Sequence, residues 1–404
     1  MGRLKFLLTA LLIVLMSVGA VEAKAVEAIG GFSKKICSRT ALDNDNVALI
    51  NQQYSTLGLP SDLKARYPKL ERALVEYNST LERQAITFRE RAIDQARDQR
   101  SHMGEYFHAY YSNSELMIRR ADSAVFSVID NGEDYLGGAH GMYGWIGANF
   151  DVETGKRLTI SDVCTNADKL TEAIVARLRA DYDERYFFEN LDEKIIKLVA
   201  EDTINFVLEP RGVTFIFNPY LIAPYASGMI VTTILFGEQP SLFKAKYRQA
   251  PAAFAQTLGL YRPTVLEMNG RRLLLDINSE QGVVTVKFKG QEVAAAIRNA
   301  HMPTYVHTAD GKNYLYVDGI ADADGFSAVE GGCLTVFKLD GELEVYNRLP
   351  YTLLHMTDVE SSDVDNEWWF MTDPNAIQFD STMPVGDMNS HFGAVNSDGT
   401  FSFG

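Results

Sequence analysis

The chain has 404 residues, of which 38 are Lys or Arg and 53 are Asp or Glu, giving a formal net charge of −15 at neutral pH. A hydrophobic fraction of 46% supports a packed core and excludes a disordered chain, and the length favours two or more domains over one. The charge is uneven: residues 301–404 hold 17 Asp and Glu against Lys312, Lys338 and Arg348, which marks a domain change and argues against nucleic acid or an anionic membrane as a partner of that part.

Arg3 and Lys5 precede an apolar run from Phe6 to Val18, and Val21-Glu22-Ala23 follows as a small-residue cleavage pattern. This reads as a signal peptide over residues 1–23, because the run is shorter than the ~20 residues a spanning helix needs. No second such run follows, so the mature chain is expected to have no transmembrane helix. Cys37 lies well past the cleavage region, so there is no lipobox, and a secreted or periplasmic location is expected. Three cysteines are too few for a disulfide scaffold. In an oxidising compartment they allow one bridge, for which Cys37–Cys164 is the preferred pairing, or three buried thiols.

Leu70, Leu74, Tyr77, Leu81, Ala85, Phe88 and Ala92 recur at steps of four and three, which predicts a helix with one buried face, begun at Pro68. Strand character follows over 106–112, 114–120 and 123–130, then a glycine-dense stretch from Gly137 to Gly147, then 149–152 and 158–160 about a Glu153-Thr154-Gly155-Lys156 turn. Helices are expected over 168–182 and 192–201, and buried strands over 213–217 and 229–236. One more helix is expected over 241–258. Beyond Thr264, turn signals such as Asn269-Gly270, Asp310-Gly311, Asp324-Gly325, Asp340-Gly341 and Asp398-Gly399 separate short strands. The expected fold is α+β: a mixed helix and antiparallel-sheet domain over 24–258, then an acidic all-β domain over 259–404, built as a sandwich or as a few propeller-like blades.

Two segments are distinctive: Asp134-Tyr135-Leu136-Gly137-Gly138-Ala139-His140-Gly141, and the stretch from Phe217-Asn218-Pro219-Tyr220 through Pro224-Tyr225 to Gly228. With Asn149-Phe150-Asp151, Thr154-Gly155-Lys156 and Leu158-Thr159-Ile160-Ser161-Asp162, in that order, residues 67–236 resemble the RsiV-like and PdaC-like extracytoplasmic domain of unknown function, the DUF3298/DUF4163 type. The resemblance implies an envelope or extracellular setting and a binding role: RsiV uses this domain to bind lysozyme. Only a few residues precede the apolar run, and no Thr-Phe-Asp-Asp-Gly or His-x-x-x-His pattern occurs, so neither the anti-sigma nor the deacetylase activity is expected to carry over.

The residues themselves support only modest chemistry. The glycine-rich turn could present Tyr135, Gly137, Gly138 and His140 to a ligand, or serve only to pass a tight hairpin while His140 caps a carbonyl. Tyr220 and Tyr225 sit on a proline-fixed connection suited to structure or to binding. Tyr143, Trp145, Trp368 and Trp369 could stack on sugars, but buried strand aromatics are commoner. His102, Glu105 and His108 have the wrong spacing for one zinc ion. Asp318, Asp322 and Asp324, and the run Asp358, Glu360, Asp363, Asp365 and Glu367, lack an EF-hand register; Asp322 and Asp324 are the weak calcium candidates. No nucleophile and base signature appears, so no catalytic residue is assigned and no cofactor other than calcium is considered. The leading expectation is a non-catalytic binding protein for a basic protein such as lysozyme or a cell-wall component. The alternatives are a cell-wall carbohydrate hydrolase using His140 with Asp134 or Asp151, and a structural protein with calcium in its acidic loops.

Overall fold

The computed structural model describes residues 25–320, 332–351, 363–369, 371–382 and 388–403. The expected signal peptide and the calcium candidates Asp322 and Asp324 lie outside them, as do Asp358 and Glu360. No helix among the described residues is long and apolar enough to cross a membrane.

Strands β1 (Ser33–Leu42) and β2 (Ala48–Gly58) form a hairpin, followed by a short helix α1 (Ser61–Arg66) and a long helix α2 (Pro68–Met103). Then come β3 (Tyr110–Ala121), β4 (Val125–Tyr135) and β5 (Met142–Asp151). The sheet order is β18-β1-β2-β3-β4-β5, where β18 is Asp363–Trp369, returning antiparallel to β1. Because α2 presents one apolar stripe, Leu70, Leu74, Tyr77 and Leu81 pack against Leu116, Ile118, Phe126, Val128 and Phe150 on one face of this sheet. The other face carries Met117, Ile129 and Trp145, one residue out of phase with the first set, and receives a second layer.

That layer holds α3 (Ile160–Val163), α4 (Ala167–Asp181), α5 (Leu191–Ala200) and a three-stranded sheet of β6 (Phe206–Leu208), β7 (Gly212–Phe217) and β8 (Ile230–Leu235). Thr159 and Asp162 close a capping box at the start of α3, and the Asn166 side chain accepts from the Lys169 N–H at the start of α4. Leu170, Ile174, Leu178 and Ile195 fill a core against Phe206, Phe215 and Phe217.

The helix expected over 241–258 does not form. A 3-10 turn ends at Leu242, α6 (Ala245–Arg248) is a single turn, and 254–257 is a strand, β9. Two carbonyls of this stretch, Tyr247 O and Gln249 O, are instead hydrogen-bond acceptors for the buried Arg120 guanidinium, and Pro251 lacks the N–H a helix would use.

Downstream, β10 (Thr264–Met268), β11 (Arg271–Glu280), β12 (Val283–Phe288) and β13 (Gln291–Ala296) form a meander. Strands β14 (Arg298–His307), β15 (Asn313–Ile320), β16 (Gly332–Lys338) and β17 (Glu344–Tyr351) join β9 in a five-stranded sheet ordered β17-β16-β15-β14-β9. The two sheets share one core, in which Leu275, Val284, Val286 and Phe288 meet Tyr305, Leu315, Val317 and Phe337. This is sandwich packing, not a set of blades. The final strands, β19 (Ile377–Thr382), β20 (Met388–Val395) and β21 (Phe401–Phe403), form a small antiparallel sheet. Strand pairing crosses position 258, since β9 pairs with β14, and the Thr372 hydroxyl donates to Ile29 O at 2.7 Å.

The expected Cys37–Cys164 bridge is absent. Both of these cysteines and Cys333 are buried: Cys37 lies on β1, opposite Tyr54, whereas Cys164 ends α3 in the separate core of the second layer.

At the end of β3 two consecutive arginines are buried. Arg119 binds Glu209 and donates to Thr257 O at 3.2 Å, while Arg120, 1% exposed, binds Asp122 at 2.6 Å and donates to Glu209 O and Tyr247 O. Removing one partner strands a buried charge. Arg120→Met is therefore expected to cost about 3–5 kcal/mol in urea denaturation. Arg97→Ala, which breaks the exposed Arg97–Asp94 pair, is expected to cost under about 1 kcal/mol.

Candidate functional site

Strand β5 is the edge of the six-stranded sheet, and its outer backbone groups are covered by side chains. Asn218 accepts from Trp145 N at 2.9 Å and donates to Trp145 O at 3.0 Å, so one carboxamide pairs with the strand as a neighbouring residue would. Asn205 repeats the arrangement one step along, accepting from Gly147 N at 2.8 Å and donating to Trp145 O at 2.7 Å. Close approach explains the two glycines: a Cβ on Gly144 would fall 2.8 Å from the Asn218 side chain, and one on Gly147 would fall 2.1 Å from Phe206 O.

Asn218 also begins the connection between β7 and β8, so holding the edge holds this connection beside the hairpin that links β4 to β5. The two distinctive sequence segments thereby meet. Tyr225 lies at the centre, its ring stacked on His140 at 4.1 Å between centroids, edge-on to Tyr143 at 5.7 Å and tilted against Tyr220 at 5.6 Å. Its hydroxyl donates to Gly141 O at 2.8 Å. The Arg262 guanidinium covers Tyr143 at 5.5 Å from the ring centre. Desolvation first, then Tyr143, Tyr220 and Glu133, push the Tyr225 pKa up, so the phenol stays a neutral donor.

Two features set this patch apart from ordinary surface. His140 and Tyr220 are exposed, Tyr220 at 54%. Tyr220 also has a backbone φ of 70°, a left-handed conformation that costs a bulky residue roughly 1–2 kcal/mol. The neighbouring Tyr186 and Phe188 add exposed ring surface, and Ser227 and Ile222 of the connection hydrogen-bond to their backbones.

Of the six residues expected to bind ligand, His140, Tyr220 and Tyr225 are brought together here. Tyr135 is turned elsewhere, stacked on Tyr111 at 5.5 Å and edge-on to Tyr110. Gly137 serves the fold: its φ is 79°, and a Cβ there would fall 2.3 Å from Gln99 Oε1 on α2. Gly138 makes no close approach, its nearest atom being His140 O at 3.8 Å. Trp145 is buried, donating through Nε1 to Asn131 at 3.0 Å. Arg262 is an addition that sequence reasoning missed, and nothing near it in the sequence signals its place over Tyr143.

The acidic partners considered for His140 do not converge on it. His140 Nδ1 is engaged with Gly141 O at 2.9 Å. Asp134 lines a separate groove of 510 Å³ against α2, and its carboxyl is raised by burial against an opposing Ser112 hydrogen bond. Asp151 ends β5, about 30 Å from its start at ~3.3 Å per residue, and is held by Lys246 at 2.6 Å and Tyr247 at 3.2 Å. His102 is exposed near the end of α2, with Nδ1 on Asp98 O at 2.8 Å. Among the described residues no group of three His, Cys, Asp or Glu is placed to hold a metal ion. What the patch offers is a concentration of aromatic faces and one delocalised cation, suited to adhesion.

Residues 160–236 match the family described as Protein of unknown function (DUF3298). The match runs from α3 to the end of β8, taking in the Tyr220–Gly228 connection but not the Asp134–Gly141 hairpin. Two solved structures are similar: a DUF3298 family member from Bacteroides fragilis, 20% identical, spanning 55% of this chain and 95% of that one with a TM-score of 0.38, and a DUF3298 family protein from Pseudomonas aeruginosa PAO1, 16% identical, spanning 57% and 100% with a TM-score of 0.34. No curated protein matches the chain.

Asn218→Ala leaves the Trp145 N–H without its partner, while the C=O keeps Asn205, and uncovers that part of the sheet edge. It is expected to cost about 1–3 kcal/mol in denaturation and to produce concentration-dependent association in light scattering. Burial opposes ionisation of Asp151, but hydrogen bonds from Lys246 and Thr154 outweigh it and hold the carboxyl below its ordinary pKa. That stabilisation is present above the unfolded-state pKa and is lost as pH falls through the lower folded value. Lys246→Met is therefore expected to destabilise at pH 7, and the gap to the parent should close below about pH 4; thermal melts across pH check it.

Proposed function

We propose that this is an exported, non-catalytic binding protein of the bacterial envelope that engages a basic protein partner through the aromatic patch around Tyr225. One observation carries the reading: two segments about 80 residues apart in sequence are fixed side by side so that His140, Tyr143, Tyr220 and Tyr225 form one surface, with Tyr220 exposed in a costly backbone conformation. Tyrosine supplies large contact area at low entropic cost and is enriched at binding hot spots. The net charge of −15 would accelerate encounter with a cationic partner. Export is supported by the leader pattern in residues 1–23. Lysozyme is the concrete partner that the resemblance to RsiV-like domains suggests.

Calorimetric titration of residues 24–404 with a c-type lysozyme, at low and at physiological salt, is the test. Saturable binding that persists at physiological salt is expected. Tyr225→Ala should weaken it at least tenfold, and Tyr220→Asn, which tolerates the left-handed backbone, should weaken it without lowering the melting temperature. Binding lost at physiological salt, or unchanged in both variants, would refute the assignment.

A further inference from the structure

Tyr220 has a counterpart in the downstream sandwich. Among the described non-glycine residues with a left-handed backbone, two are aromatic: Tyr220, and Tyr261 with φ of 62°. All but one of the rest are polar, as turns of that kind favour. Both tyrosines are 54% exposed. Tyr261 lies on the connection between β9 and β10, and this connection is fixed against β5. Gly259 passes so close to Trp145 that a Cβ there would fall 2.8 Å from the indole, while Leu258 N and Tyr261 N donate to Pro303 O and Ile277 O, each at 2.7 Å. Arg262 then covers Tyr143 and lies beside Gly228, where a Cβ would fall 3.5 Å from Arg262 Nη1.

The two tyrosines therefore sit at the two ends of one run of contacts. Tyr220 meets Tyr225 at 5.6 Å, Tyr225 meets Tyr143 at 5.7 Å, and Tyr143 meets the Arg262 guanidinium at 5.5 Å. Tyr261 is the residue before Arg262, about 3.8 Å away between Cα atoms. A standard protein interface covers about 800 Å² of each partner, a disc about 30 Å across. One centred on Tyr225 extends past the Arg262 guanidinium onto the sandwich. The Tyr261 hydroxyl donates to Ser279 O, which holds the ring against β11 while leaving it exposed. A ring fixed in this way loses little freedom when a partner covers it. From this we infer that the binding surface is composite: the sandwich supplies Tyr261 as a further contact residue for the basic protein engaged at Tyr225. The inference rests on the function proposed above, and it makes both parts of the chain, on either side of position 258, necessary for full affinity.

Calorimetric titration of residues 24–404 with a c-type lysozyme tests it through two substitutions at one position. Tyr261→Phe keeps the ring and loses the bond to Ser279 O; Tyr261→Asn suits the left-handed backbone and loses the ring. Tyr261→Asn should weaken binding at least fivefold and Tyr261→Phe less than twofold. Tyr106→Ala, at an unrelated tyrosine that is 72% exposed, should leave binding unchanged. In the parent chain, lysozyme should also slow amide hydrogen exchange over 259–262 as well as over 220–228, a readout that needs no variant. Binding unaffected by Tyr261→Asn, equal weakening by Tyr261→Phe or by Tyr106→Ala, or protection confined to 220–228 would overturn the composite surface. If Tyr225→Ala still weakens binding in those cases, the proposed function stands without it; a parent chain that does not bind lysozyme overturns both.

Discussion

The architecture depends on the two buried arginines at the end of β3. In a regular strand Arg119 and Arg120 would point to opposite faces of the sheet. Here the register with β4 shifts between Ile118 and Arg120, a bulge that lets both side chains reach the same turn after β6. Arg119 takes the Glu209 carboxylate, Arg120 takes the Glu209 carbonyl, and between them they also hold Thr257, Tyr247 and Gln249. The first sheet, the DUF3298-matched layer and the start of the downstream sandwich are thus joined at one point. A fully apolar joint would have been at least as stable, but directed hydrogen bonds to five named groups specify one arrangement of the three parts.

That joint also explains what was illegible in the sequence. Leu70, Leu74, Tyr77 and Leu81 announce α2 because a long amphipathic helix repeats its signal turn after turn, and Asn269-Gly270, with φ of 53° and 69°, announces a hairpin because the turn demands those residues locally. The stretch 241–258 has buried Leu242, Phe243 and Tyr247 at spacings that mimic a helix, yet its carbonyls are claimed by a side chain more than 120 residues away. No local pattern reports such a competitor. For the same reason Arg119-Arg120 falls within the strand expected over 114–120 with nothing to mark it as an anchor.

The candidate site was half legible. Its two segments stand out because each strings glycine, proline and aromatic residues together, and that is what close approach and fixed turns require. Their convergence was not legible, because it runs through Asn218 and Asn205 acting as a false strand against β5, and an asparagine in a loop looks the same whether it caps an edge or faces water. Nor was the division of labour within the segments. Gly137 and Gly144 are needed where a Cβ would collide with Gln99 and Asn218, whereas Tyr135, in the same motif, turns its ring toward Tyr110 and Tyr111.

Edge protection and the exposed aromatic patch are therefore one device. An exposed β5 would invite pairing with another chain, and the usual remedies are charge, proline or a covering loop. This protein covers the edge with the loop that starts at Asn218, and the loop then has to turn sharply back toward β8. Pro219 and Pro224 fix that turn, and it leaves Tyr220 at a positive φ with its ring outward and Tyr225 stacked on His140. A glycine would satisfy the turn at position 220 more cheaply. A tyrosine there is poorly explained by the turn alone, and its exposed ring beside three other aromatic faces is the contact surface on which the proposed function rests.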